Sequence, residues 1–121
     1  NVYAVGYKNL SYDANGKLPD RTQEFLDKVK PVVGENVDYT LWWVALGYDT
    51  VEVIKHAIEK AGGSTDPDKI REALEATSNF PGVYGTYSWS KDNRDGFPTS
   101  EVVMNIANSF KNGTFQLAPE K

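Results

Sequence analysis

Cysteine is absent from the 121-residue chain. Its absence excludes thiolate zinc sites, iron–sulfur clusters, catalytic thiols and a disulfide scaffold together, and leaves the compartment open, because many exported proteins also lack disulfides. A basic surface is equally lacking. Lys and Arg number 13 against 17 Asp and Glu, a net charge of −4 with a pI of about 4.9, so there is no cationic face for phosphate backbones and nucleic acid is not an expected partner. Long apolar runs are missing too: the longest, Leu41-Trp42-Trp43-Val44-Ala45-Leu46, falls far short of the ~20 residues a membrane span needs. The only histidine is His56. A lone imidazole has no second ligand or nucleophile to work with, and the sequence holds no phosphate-cradling Gly-rich loop, no Gly-x-Ser-x-Gly elbow and no metal triad. An enzyme, a cofactor and a resident metal are therefore not expected.

What is present favours a folded core. Hydrophobic residues make up 40%, charged residues 25% and aromatics 12%, a composition unlike that of a disordered tail. At about 150 residues per domain the length fits one domain or part of one, and a chain of this size hides roughly two-thirds of its unfolded surface. There is no initiator Met, and the chain opens directly into Val2-Tyr3-Ala4-Val5-Gly6-Tyr7, which is expected of a piece of a longer protein.

Read along its length, the chain alternates between two periods. Residues 2–7 are continuously apolar and read as a short buried strand of the kind found in parallel sheets. A polar loop follows, with Asp13-Ala14-Asn15-Gly16 as turn chemistry. Asp20 is placed to cap a helix whose apolar stripe is Phe25, Leu26, Val29 and Val32, with Pro31 and Gly34 closing it. A long helix is expected from about Asp38 to Gly62-Gly63. Its core face is read as Trp43, Gly47, Val51, Ile54, Ile58 and Ala61, and its solvated flank as Glu52, Lys55, His56, Glu59 and Lys60. Asp66-Pro67 then starts a short helix with Ile70, Ala73 and Leu74 inward. From residue 84 the period becomes two, giving strands over residues 84–89, 101–107 and 114–117, with Asn112-Gly113 as a hairpin signal. The order β-α-α-α-β-β-β indicates an α/β fold that lacks some of the strands its helices would cover.

Several of these segments resemble the C-terminal third of type I periplasmic binding proteins of the leucine/isoleucine/valine-binding class. They are Ala45-Leu46-Gly47-Tyr48-Asp49-Thr50-Val51, Ala57-Ile58-Glu59-Lys60-Ala61-Gly62 and Asp66-Pro67-Asp68-Lys69-Ile70-Arg71-Glu72-Ala73-Leu74, followed by Phe80-Pro81-Gly82-Val83-Tyr84-Gly85, which resembles the family's phenylalanine-x-glycine-x-x-glycine segment. A strand ending in Trp89, a polar turn and a closing Lys111-Asn112-Gly113-Thr114-Phe115 follow in the family's order. The resemblance implies part of a bilobed α/β fold whose lobes, joined by three crossovers, close on a ligand like a hinge. By that analogy residues 1–103 are the C-terminal portion of the first lobe, and residues 104–121 are the last crossover and a terminal hairpin packing on the second.

The implied function is that of an extracytoplasmic solute-binding component of an ABC importer. Its ligand would be an amino acid, branched-chain or similar, or a related small carboxylate or amide. Its other partners would be the membrane permease and either the missing N-terminal segment of the same protein or a second copy. The location implied is periplasmic or otherwise extracytoplasmic, with a lipoprotein anchor admitted for the full-length protein. A ligand-binding sensor or receptor of the same fold is the alternative, and an autonomous module of unrelated function a third. In relatives the groups that hold the ligand lie mostly upstream, so the 121-residue chain alone is not expected to bind.

Candidate ligand-binding residues follow from the same analogy. The family's helix presents an apolar or aromatic side chain about five positions before the tyrosine matching Tyr48, which selects Trp43 as an apolar wall. Trp43 also lies on the stripe of Ile54 and Ile58, so a core role stands beside it. Trp42 points about a hundred degrees away and is a weaker candidate. Tyr7 lies at the carboxyl end of the opening strand, where open α/β sheets tend to host ligands, with surface packing as its ordinary alternative. His56 is expected to face solvent. Asp13-x-Asn15-Gly16 and residues 92–96 share residues with calcium loops, but lack the spaced ligands and the closing glutamate and read as turns.

Overall fold

The computed structural model describes residues 2–35 and 40–119. The opening strand β1 (Tyr3–Tyr7) pairs antiparallel with β4 (Val102–Ile106), Val5 standing opposite Met104 and Tyr7 opposite Val102. The expected buried strand of a parallel sheet is thus corrected. Among the described residues β1 has one neighbouring strand, and one side of the resulting ribbon is open, with Val5 59% and Met104 49% exposed. The other side is closed by polar contacts. Buried Asn105 donates from Nδ2 to Ser11 Oγ at 3.1 Å, and Ser11 Oγ donates to the Tyr7 carbonyl at 2.7 Å.

After a single 3-10 turn (Lys8–Leu10), the Asp13 carboxylate closes the predicted turn by accepting from the Asn15 and Lys17 amides at 2.8 and 2.9 Å. Helix α1 (Asp20–Val33) begins one residue earlier than its expected cap implies. Pro19, in extended backbone, occupies the cap position, and the Asp20 carboxylate pairs instead with Lys17 at 3.2 Å. Phe25 and Leu26 are buried and Val29 packs against the same core. Val32 is 85% exposed, because the helix runs past what covers it and residues 31–35 are all exposed.

Helix α2 spans Leu41–Lys60 among the described residues, and the expected start near Asp38 lies outside them. Its end is as read. Gly62 and Gly63 both have positive φ, and the Gly63 amide donates to the Ile58 carbonyl at 2.8 Å, closing the last turn. Its orientation is not as read. The inward residues are Leu41, Ala45, Asp49 and Ala57. Trp43 is 74% exposed, Val51 and Ile54 are exposed, and Gly47 faces open space. The period-3.6 stripe is present, but the chain's own body covers the opposite side. Helix α3 (Pro67–Glu75) forms as the sequence dictates: Asp66 caps it by accepting from the Asp68 and Lys69 amides at 3.0 and 3.2 Å, with Pro67 at the first position and Ala73 buried.

The expected strand over residues 84–89 is shorter in the structure. Strands β2 (Phe80–Pro81) and β3 (Thr86–Tyr87) form a minimal antiparallel pair, and the chain beyond is held by Ser88 N to Gly96 O at 2.8 Å and Trp89 N to Thr77 O at 2.9 Å. Near the C-terminus Asn112 and Gly113 have φ of 50° and 81° between bridge partners Lys111 and Thr114, the two successive left-handed residues that Asn-Gly supplies. Residues 114–117 do not form a continuous strand; Gln116 bridges to Tyr12 and Leu117 to Asn105. Leu41 N donates to Gly113 O at 2.8 Å, and the Thr114 hydroxyl donates to the Leu10 carbonyl. The core sits between these elements: Leu10, Leu18, Phe25, Leu26, Leu41, Ala45 and Val83.

Candidate functional site

Tyr7 closes β1 and Trp42 lies in the first turn of α2, and the fold brings the two together. Their rings meet edge to face with centroids 5.2 Å apart. Tyr7 also touches Tyr84 at 4.4 Å and Phe97 at 5.9 Å, and Trp42 reaches Phe115 at 5.8 Å, so one aromatic cluster joins the strand end, the helix start and three later loop segments. Edge-to-face pairs of this kind each contribute about 0.5–1.5 kcal/mol beyond their buried area. Both residues are half-buried. The Trp42 indole nitrogen is itself buried and has no acceptor among the described residues. Trp43, the next residue, projects away from this cluster into solvent, so the structure joins Tyr7 to Trp42 and leaves Trp43 apart.

The segment carrying Tyr84 is positioned by Asp49. This carboxylate is 2% exposed and accepts from the Val83 and Tyr84 amides at 2.8 Å each and from the Tyr87 hydroxyl at 3.0 Å. A buried carboxylate is tolerated when its lone pairs are filled in this way. Two glycines allow the approach. A Cβ on Gly82 would lie 2.4 Å from Asp49 Oδ2, and one on Gly85 would lie 2.2 Å from the Phe97 ring. Arg21 adds a bond from Nη1 to the Gly82 carbonyl at 2.9 Å. Burial, then the Tyr7 hydroxyl, pushes the Tyr84 phenol well above its ordinary value. Burial, then the Asp49 charge, does the same to Tyr87. Both phenols stay neutral at physiological pH, and that of Tyr87 remains a donor to Asp49.

Sequence reasoning quoted Asp49 within a motif without singling it out. Its signal is an acidic residue one turn after Ala45 on the side of α2 that holds Leu41, where a carboxylate must find donors from elsewhere in the fold. His56 is a correction: it is half-buried, not solvated, with its ring 5.0 Å from Phe80 and Nε2 3.2 Å from Thr77 Oγ1. Since the Thr77 hydroxyl donates to the Ala73 carbonyl at 2.8 Å, its oxygen accepts from His56 and from Lys60 Nζ, also at 3.2 Å. Among the described residues no three His, Cys, Asp or Glu side chains are placed to hold a metal, and no helix is long and apolar enough to cross a membrane.

Comparison with known proteins places these features in a family. The model of a family described as "Periplasmic binding protein" matches residues 2–112. Among solved structures, a periplasmic binding protein type 1 from Bordetella pertussis Tohama I is 21% identical with a TM-score of 0.67, over 98% of this chain and 33% of its own. An extracellular ligand-binding receptor from Rhodopseudomonas palustris HaA2 is 17% identical with a TM-score of 0.68, over 98% of this chain and 34% of its own. The chain therefore spans about a third of the length of these solved structures. A search of curated proteins gave no match.

Proposed function

Because the chain belongs to the periplasmic binding protein family, we propose that it is part of an extracytoplasmic solute-binding protein of an ABC importer. The ligand is an amino acid, branched-chain or similar, or a related small carboxylate or amide, enclosed between two lobes and delivered to a membrane permease. The observation that carries this reading is the family match across residues 2–112. Within it, residues 1–103 belong to the first lobe, and residues 104–121 supply the last crossover and a hairpin against the second.

Tyr7, Trp42 and Trp43 are the proposed ligand-facing residues. Tyr7 and Trp42 supply a preformed aromatic wall, fixed by their mutual contact and by Tyr84. Trp43, exposed beside it, is available to a ligand's apolar side chain. Such a wall contributes desolvated contact, while closure of the lobes supplies the rest of the enclosure.

Native mass spectrometry of the protein isolated from its source tests this reading. The expected species has about three times the mass of this chain, as the one-third coverage of solved relatives implies, and carries a small adduct of amino-acid mass. A bare 13.5 kDa species without adduct overturns it. Calorimetric titration of the 121-residue chain with amino acids should show no binding, and micromolar binding would show that the chain needs no second lobe. A receptor role is the second reading, favoured by the Rhodopseudomonas palustris neighbour, whose description is an extracellular ligand-binding receptor. Ligand uptake that survives deletion of the gene would favour it over import.

A further inference from the structure

Asp49 shows what a buried carboxylate oxygen requires, since three donors surround it. Glu101, which ends the 3-10 turn Thr99–Glu101 leading into β4, lacks them. Its Oε2 is buried and has no hydrogen-bond partner among the described residues. A carboxylate oxygen left so is costly unless a cation comes to it. The residue keeps part of its surface in solvent, so such a cation has a way in.

Across the ribbon stands Lys8. Tyr7 is the Cα partner of Val102, and one step beyond that pair Lys8 and Glu101 lie at the same end of the ribbon, each in a 3-10 turn. Paired strands run only about 5 Å apart, and opposite charges facing each other across them attract. Yet neither residue belongs to an ion pair among the described residues. At this end of the ribbon a cavity of about 420 Å³ is lined by Lys8 and Ser100 together with Val103, Met104, Leu117 and Pro119.

We infer that Lys8 and Glu101 read the two charges of a zwitterionic α-amino acid. The Lys8 ammonium, with the Ser100 hydroxyl, takes the ligand's carboxylate, and the Glu101 carboxylate takes its ammonium. This deepens the reading of the chain as part of an amino-acid-binding protein and rests on it. An α-amino acid bears both charges on one carbon, so a site for it needs a cation and an anion close together that do not neutralise each other. A simple carboxylate or amide leaves Glu101 without a cation, which selects the zwitterion among the ligand classes proposed above. The place agrees, because Lys8 adjoins Tyr7, the proposed ligand-facing residue, and Glu101 lies just ahead of the proposed last crossover.

The test is calorimetric titration of the full gene product, freed of ligand, with each of the twenty proteinogenic amino acids. The tightest binder is then compared with its deaminated acid and with its decarboxylated amine. Glu101→Gln should weaken the amino acid by about 30-fold, the scale of a lost charged hydrogen bond, and leave the deaminated acid within about threefold of its wild-type affinity. Lys8→Met should weaken the amino acid and the acid by similar factors and spare the amine. Lys8 is exposed, so its replacement gives a reading even where Glu101→Gln fails to fold. A third measurement needs no variant: saturation of the wild-type protein with that amino acid should slow acetylation of Lys8 and leave that of exposed Lys91 unchanged. Unaltered affinities in the variants overturn this inference alone. So does an equal loss for all three compounds, the mark of a merely structural role, or acetylation of Lys8 that is indifferent to the amino acid. A wild-type protein that binds none of the twenty overturns the amino-acid reading, and this inference with it.

Discussion

The Asp49 side and the Trp43 side of α2 are equally apolar in pattern and opposite in circumstance. On the first, small Ala45 and Ala57 let the helix sit close to the body, and Asp49 ties it to the segment after β2 through three hydrogen bonds. On the second, larger side chains stand in solvent with nothing of the described chain against them. The difference teaches that a face is fixed by its polar anchor as much as by its hydrophobicity. A buried carboxylate has one satisfactory environment, whereas Trp43, Val51 and Ile54 accept any apolar cover.

Substitutions on the two sides should separate them sharply. Asp49→Ala leaves the Val83 and Tyr84 amides and the Tyr87 hydroxyl without their acceptor, and at about 1–3 kcal/mol for a buried unpaired group the combined loss should reach ~3 kcal/mol or more. Chemical denaturation of the purified chain reads it. Gly82→Ala drives a methyl group to 2.4 Å from the same carboxylate and should cost about 1–3 kcal/mol by overpacking. Tyr87→Phe removes one hydrogen bond of the set, a loss of about 1 kcal/mol at neutral pH.

Tyr87 also carries a pH signature. Its phenol is raised by burial and by Asp49, so above the ordinary tyrosine value of about 10 the unfolded chain ionises before the folded one. The contribution of Tyr87 to stability is thus constant below about pH 10 and falls as pH rises beyond it, and Tyr87→Phe should shallow the alkaline fall that it shares with the similarly raised Tyr84. The smallest effect belongs to the open side. Ile54→Glu should change the stability of the chain by less than about 0.5 kcal/mol, because nothing described packs there. A loss of several kcal/mol would erase the contrast between the two faces.

Local chemistry was the most legible part of this sequence. Asp66-Pro67 starts α3 where a capping carboxylate and an N–H-free first residue dictate, and Asn112-Gly113 makes the turn that two left-handed residues require. Family membership was legible as well, because it rests on the order of several such segments. The direction in which α2 faces was not. Periodicity locates an apolar stripe without saying what lies against it, and among the described residues Trp43, Val51 and Ile54 stand exposed. The open side of the β1–β4 ribbon was misread for the same reason: continuous apolarity signals burial on both sides, and the described residues cover one. At the candidate site, Tyr7 and Trp42 were selected separately, one from a strand end and one from a family spacing. Their contact across 35 residues of sequence, and the part Asp49 plays in holding Tyr84 beside them, come from tertiary packing that no local pattern encodes.

Hydroxyl-radical footprinting of the purified chain, read residue by residue by tandem mass spectrometry, tests the contrast most directly. Trp43 should oxidise far faster than its neighbour Trp42, and Val51 and Ile54 faster than Leu41. Protection of Trp43, Val51 and Ile54 together with rapid labelling of Leu41 would mean that the chain buries the other side of α2, contradicting this account.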